Sequence, residues 1–151
     1  MVARKINARD IIIQVREADG ITWSAIGGLN SATPNPSENE ETVDTTTFGS
    51  QGNYEQEIMQ RGASLALEGF LIKDDTTGTQ DPGQARCEVV GTLTGYASLG
   101  AIRFRHPMDA AWKVWPEATF TIGEQGGGNN DKTGWKCDIM RSGPSTVVAA
   151  P

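Results

Sequence analysis

The sequence predicts a mainly β fold, a sandwich or barrel with one flanking α-helix and one long loop or hairpin, in a single domain spanning 1–151. Three observations carry this. Eighteen glycines and seven prolines in 151 residues require frequent turns. Several stretches alternate apolar and polar side chains with a period of two. Only one stretch, beginning at Asp81-Pro82, opens as a helix. A domain of this length buries about two-thirds of the surface that its unfolded chain exposes, so neither a disulfide framework nor a metal is needed to hold it.

The first strand is Arg9 to Glu17. Ile11, Ile13 and Val15 point one way and Asp10, Gln14 and Arg16 the other, while Ile12 breaks the pattern and implies a second apolar environment. Asp19-Gly20 then signals a hairpin into Ile21-Thr22-Trp23. Asn30 to Asn39, with Pro34 and Pro36, reads as loop. The threonines of Glu40 to Phe48 favour a strand that can bury little on either face. The inserted segment 49–61 has neither helical nor strand periodicity and reads as irregular. Ala63, Leu65 and Leu67 then alternate with Ser64, Ala66 and Glu68 in a second strong strand.

Asp81 is placed to cap a helix with Pro82 in its first turn. Ala85, Val89, Val90, Leu93 and Tyr96 fall within about 140° of a helical wheel and are the expected buried stripe, with the end near Gly95. Cys87 lies opposite that stripe, away from the core. The last third returns to strands: Ile102 and Phe104; Trp112, Val114, Ala118 and Phe120 on one face; and Thr133 to Arg141, where Cys137 shares a face with Trp135 and Ile139. Residues 143–151 read as a short flexible tail of small residues.

The chemistry-bearing residues form no constellation. Glu40-Glu41 and Asp74-Asp75 lie in polar stretches, where nothing would separate the two pKa values of an acid/base couple. His106, the single histidine, has no nucleophile setting beside it. The glycines of Gly123 to Gly128 lack the Gly-Lys-Ser/Thr ending of a phosphate loop. The sequence therefore predicts no enzyme, no cofactor and no metal site, and two free thiols at Cys87 and Cys137. Nineteen acidic against thirteen basic side chains give a net charge of −6, opposite to the basic footprint of a tight nucleic-acid binder. The longest strongly apolar run, Ile11-Ile12-Ile13, is far short of a bilayer span, and no signal peptide is legible at Met1 to Lys5. The expectation is a protein made and assembled in the cytoplasm, with no membrane partner.

One ordered set of segments resembles a known family. Trp23-Ser24-Ala25-Ile26-Gly27-Gly28-Leu29 is followed by Glu41-Thr42-Val43-Asp44-Thr45-Thr46-Thr47-Phe48, then Arg61-Gly62-Ala63-Ser64-Leu65-Ala66-Leu67-Glu68-Gly69. Asp81-Pro82-Gly83-Gln84 and a closing strand ending in Ser142-Gly143-Pro144 complete the order. This order resembles the major tail tube proteins of long, flexible-tailed (siphovirus-type) phages and of gene transfer agents.

The resemblance implies a core similar to the tube protein of type VI secretion. Six copies would form a ring, and rings would stack into a tube through which DNA passes in transit. The partners implied are further copies of the chain, a tail terminator, tail tip or baseplate proteins, and a tape measure protein in the lumen. The location implied is the tail of a virion or phage-like particle. Pairing with a neighbouring subunit would cover the apolar-poor edge strand Glu40 to Phe48. The segment 49–61 would be the ring-stacking loop, with Tyr54, Glu55, Glu57, Ile58, Met59 and Arg61 as its contact residues. Glu40, Glu41, Asp44 and Glu68 are the candidate acidic groups of the lumen wall, where they would repel passing phosphates. The alternative is a monomeric or dimeric β-sandwich binding module for carbohydrate or peptide, using Trp112, Trp115 and Trp135 as an aromatic platform.

Overall fold

A computed structural model describes residues 1–150 of the chain. Ten strands and one α-helix follow in the order β1 (Ile12–Arg16), β2 (Trp23–Ala25), β3 (Leu29–Asn35), β4 (Glu41–Asp44), β5 (Gln56–Gln60), β6 (Ser64–Phe70), α1 (Pro82–Gly91), β7 (Gly100–Arg105), β8 (Ala111–Ile122), β9 (Gly134–Arg141) and β10 (Thr146–Ala149). Eight strands form one antiparallel sheet in the order β2-β1-β7-β8-β9-β6-β3, with β10 also on β8, while β4 and β5 pair only with each other.

The sheet curls on itself. Ile13 and Val15 of β1 share a core with Leu65 and Leu67 of β6, although β7, β8 and β9 lie between those two strands in the sheet. The ends do not close. Ile11, Ile13 and Ile26 face Leu29 and Ala32 of β3 across an open cleft of about 620 Å³. Trp135, Cys137 and Ile139 of β9 are fully buried, as their shared face predicts. Phe104 packs edge-on to Trp115, with ring centroids 5.3 Å apart.

The helix is where and how the sequence says it starts, but not what it buries. The Asp81 carboxylate accepts from the amides of Gln84 (3.2 Å) and Gly27 (3.1 Å), with Pro82 in the first turn. The buried face is Gly83, Gln84, Cys87 and Val90, whereas Val89, Leu93 and Tyr96 are exposed. The helix ends at Gly91, so Leu93 and Tyr96 lie beyond it. Close approach decides the face: a side chain at Gly83 would run into the Ala25 carbonyl and the Ile26 Cα at 2.6 Å. Cys87 is consequently in the core beside Cys137, and both thiols are free.

Three segments read as irregular or flexible are strands. Asn30 to Asn39 contains most of β3, an edge strand whose Pro34 is tolerated because only one side of β3 is paired. The segment 49–61 contains β5. The tail read as flexible contains β10, with Pro151 outside the described residues. Cys137 to Arg141 pairs down β8 from Ile122 to Ala118, and Thr146 to Ala149 continues down it from Val114 to Ala111, so β9 and β10 line one edge of β8 with a single extra residue between them.

A bulge also divides β8. Ile102 pairs with Trp115 but Gly100 with Ala118. Trp115, Ala118 and Phe120 therefore face the main core, while Trp112 and Val114 are buried on the opposite face of the sheet. The single face expected for Trp112, Val114, Ala118 and Phe120 is corrected to two.

Candidate functional site

Two surfaces stand out, and both begin from residues that the core does not use. The first is the arm formed by β4 and β5. The Asn39 backbone turns left-handed (φ 59°) after β3 and sends the chain out of the sheet. At the arm's base the Gln60 amide donates to the Asn39 carbonyl (2.9 Å), and Arg61 meets Glu40 at 3.6 Å. β5 of the same chain pairs with one side of β4 from Glu41–Gln60 to Asp44–Gln56, and the other side of β4 stays open as an edge. Neither strand packs substantially on the rest of the domain.

The arm holds its shape through backbone and turn bonds, which is why its sequence shows no apolar alternation. Thr46 at the end of β4 donates its amide to Asp44 (2.9 Å) and accepts the Glu55 amide on its hydroxyl (2.9 Å). At the tip, Thr47 and Ser50 cap each other across a 3-10 turn over Phe48–Ser50. Gln51 and Gly52 then reverse the chain with φ of 51° and 86°. The Thr46 hydroxyl, followed by its amide, holds the Asp44 carboxyl below its ordinary value.

What the arm displays is apolar and acidic. Phe48 is wholly exposed, Tyr54 and Met59 are each 68% exposed, and Val43 and Ile58 stand half out of contact. Register divides the expected contact residues. Val43 opposes Glu57, whereas Thr42 opposes Ile58 and Asp44 opposes Gln56. Glu55 and Glu57 therefore share a side with Val43, while Tyr54 and Ile58 share the other with Asp44. Met59 sits at the bulge between the Glu41 and Thr42 pairings.

The four candidate lumen carboxylates are not brought together. Glu40 is at the arm's base on Arg61, and Glu41 and Asp44 are further along β4. Glu68 lies on β6 opposite Lys136, to which it pairs at 3.8 Å.

The second surface is one that sequence reasoning missed. On the face of the sheet away from the main core, the Arg103 guanidinium is stacked between Trp23 (4.4 Å to the ring centroid) and Trp112 (4.3 Å). Arg105 stacks on the same Trp112 ring at 4.9 Å. Gln14 accepts from Arg103 Nε at 2.7 Å. Ile12 pairs with Arg105 across the strands and Gln14 with Arg103, which supplies the second environment that Ile12 implied. The available signal was the Arg-x-Arg spacing of β7 set against Trp112 in the antiparallel neighbour.

Trp112, Trp115 and Trp135 are at most 5% exposed, so they form no platform for a sugar or peptide. Among the described residues no group of three or more His, Cys, Asp or Glu is placed to hold a metal ion. No described helix is long and apolar enough to cross a membrane.

An extended curled sheet with one capping helix and a projecting two-stranded arm defines the class of fold, and solved structures share it. A chain from the tail of an empty GTA particle, refined with helical C6 symmetry, superposes with a TM-score of 0.68 at 22% identity over 96% of this chain and 100% of that one. A chain from the virion of a native gene transfer agent particle gives 0.64 at 20% identity, covering 96% and 100%. A chain of an extracellular contractile injection system, the PVC sheath–tube complex in its extended state, gives 0.60 at 13% identity, covering 99% and 95%. No family model matches the sequence, and no curated protein matches it. The fold of this chain is thus that of gene transfer agent tail chains, as the order of its sequence segments indicates.

Proposed function

We propose that the chain is the structural subunit of a tail tube. Copies associate into hexameric rings, rings stack into a tube, and DNA passes through the lumen in transit. The observation that carries this is the arm, in which five large apolar side chains project from the domain with no partner of their own. Monomeric proteins rarely leave such a group uncovered. The similarity to a chain from a C6-symmetric GTA tail supports sixfold closure. Stacking of such rings is an open, head-to-tail contact.

The particle is a phage-type virion or gene transfer agent. A tail terminator, tip or baseplate proteins and a tape measure protein are the other partners of such a tube. The arm residues Tyr54, Glu55, Glu57, Ile58, Met59 and Arg61 belong to the ring-to-ring contact. Glu40, Glu41, Asp44 and Glu68 leave negative charge toward the lumen. Catalysis has no place in this role.

Negative-stain microscopy and sedimentation of the purified chain test the reading. Rings or tubes with interfaces of obligate size, upward of ~2,000 Å² per pair, are expected. Monomers alone at high concentration, even after chemical cross-linking, overturn it.

A further inference from the structure

Arg103 and Arg105 are the two cations of the chain that the fold treats most unusually. Both guanidiniums lie against Trp112, and Arg103 has a second indole on its other face. Among the described residues the only ion pairs are Arg61–Glu40 and Lys136–Glu68, so neither arginine has a carboxylate. Burial, and then the neighbouring Arg105 charge, push the Arg103 pKa down. Arg105 Nη1 donates to the carbonyls of Pro107 (3.5 Å) and Asp109 (3.4 Å). Two like charges sharing one ring without a counter-ion still form an incomplete arrangement within a single chain.

Stacking also fixes what can complete it. The faces of the Arg103 guanidinium are covered and its Nε is taken by Gln14, so its terminal nitrogens, which meet no acceptor among the described residues, remain. A planar fork of this kind recognises a carboxylate in two-point fashion. The chain itself carries the matching group. Glu55 and Glu57 on the arm are exposed and unpaired among the described residues, and they lie two residues apart on one side of an extended segment. Arg103 and Arg105 lie two residues apart on one side of β7. Alternate residues on extended strands repeat at about 6.7 Å on both, so the two pairs are in step.

The geometry points to the Trp23–Arg103–Trp112–Arg105 face as the docking surface for the arm of a second copy, with Glu55 and Glu57 as its anions. This rests on the tube-subunit reading and adds the receiving surface to it. The arm is strongly acidic, with Glu40, Glu41, Asp44, Glu55 and Glu57 against Arg61. The receiving face presents Arg16, Arg103 and Arg105 in a chain whose net charge is −6. Complementary charge of this kind selects the partner and its register.

A charge exchange tests it. Glu55→Arg with Glu57→Arg reverses the arm, and Arg103→Glu with Arg105→Glu reverses the face. Each reversed variant alone should raise the concentration needed for assembly by roughly tenfold or more, because like charges then meet. An equimolar mixture of the two should assemble, since every arm then meets a face of opposite sign. The arm lies clear of the core, so its variant retains the wild-type circular dichroism and melting temperature even if the face variant does not fold. Normal assembly of the arm variant overturns the docking surface while leaving the tube reading intact. Failure of the wild type to assemble overturns both. If the face-reversed variant folds and assembles like the wild type but no longer retains a short fluorescent DNA duplex, the face binds phosphate and the proposal is wrong.

Discussion

The side-chain amide of Gln84 donates to the Phe70 carbonyl at 2.8 Å from inside the core, joining the first turn of α1 to the end of β6. The same nitrogen donates to the Gly27 carbonyl (2.9 Å), and the amide oxygen accepts from the Ile72 backbone (3.3 Å). One fully buried side chain therefore satisfies three backbone groups in two segments distant in sequence, at Gly27 and at Phe70 to Ile72. Gln84→Leu leaves those groups without partners, and the expected loss is about 2–4 kcal/mol in urea unfolding. A loss below about 0.5 kcal/mol would mean that water replaces the amide.

Asp19 closes the β1–β2 turn. Its carboxylate accepts from the Thr22 hydroxyl at 2.6 Å and from the amides of Ile21 and Thr22, each at 2.8 Å. The hydroxyl first, then the two amides, lower its pKa from 3.8 to about 2. Because the folded value is depressed, the contribution to stability is present above pH 3.8 and is lost as pH falls through about 2. A carboxyl titration followed by NMR should show a midpoint near 2 for Asp19, and Thr22→Val should raise it.

Cys87 behaves in the opposite sense at high pH. The hydrogen bond with Cys137, and then burial, raise its pKa well above the ordinary 9.0. The folded chain keeps the proton that the unfolded chain releases, so this contribution is intact below pH 9.0 and declines as pH rises beyond it. Neither thiol should react with a thiol reagent until the protein unfolds. Cys87→Ala should flatten the alkaline fall in the urea midpoint relative to the wild type.

The arm can be altered without weakening the domain that carries it. Phe48 is wholly exposed, so Phe48→Ser should change unfolding free energy by no more than about 0.5 kcal/mol. If Phe48 is buried between copies, the lost contact of about 1.5–3 kcal/mol raises the assembly concentration by roughly ten- to a hundredfold. An isolated two-stranded hairpin is marginal in water. The amides of 56–60 should therefore exchange quickly in the monomer and slowly in the tube. Slow exchange in both states would show an arm as rigid alone as assembled.

The carboxylates proposed for the lumen have their own test. Replacing Glu40, Glu41 and Asp44 together by lysine should leave tubes intact and slow DNA passage. Unchanged passage through intact tubes removes that role.

Strands that carry one face of the core were legible, because burial imposes the period of two that Leu65-Leu67 and Trp135-Cys137-Ile139 display. β3 and β5 escaped for the converse reason: β3 turns only Leu29 and Ala32 toward the core, and β5 turns nothing there. The helix face was misjudged because Gly83, Gln84 and Cys87 carry its periodicity, and residues so small or polar weigh little in a hydropathy pattern. The arginine–tryptophan stack was invisible for a different reason. Alternation sets Arg103 and Arg105 opposite Ile102 and Phe104 and groups Trp112 with Ala118 and Phe120, and only the β8 bulge places Trp112 on the face of the two arginines. The arm's position in the chain was legible from segment order, while its pairing was not, since β4 meets β5 through backbone bonds that no side-chain pattern encodes.

The pairing order has a consequence for synthesis. Ile12 can find its strand partner only when Arg105 has emerged, and Leu65, which meets Pro34 of β3 early, must wait for Ile139 on its other side, whereas Val43 meets Glu57 within one short loop. The arm is thus available on the nascent chain long before β8 has a neighbour on either edge. Trp23, Arg103 and Trp112 come together only when β1, β7 and β8 have paired, so if the arm docks on this face as proposed, a newly made subunit displays its arm before it owns the receiving surface. Under the proposed tube role, that order would favour growth from a completed tube end over clumping of half-made chains on the same messenger.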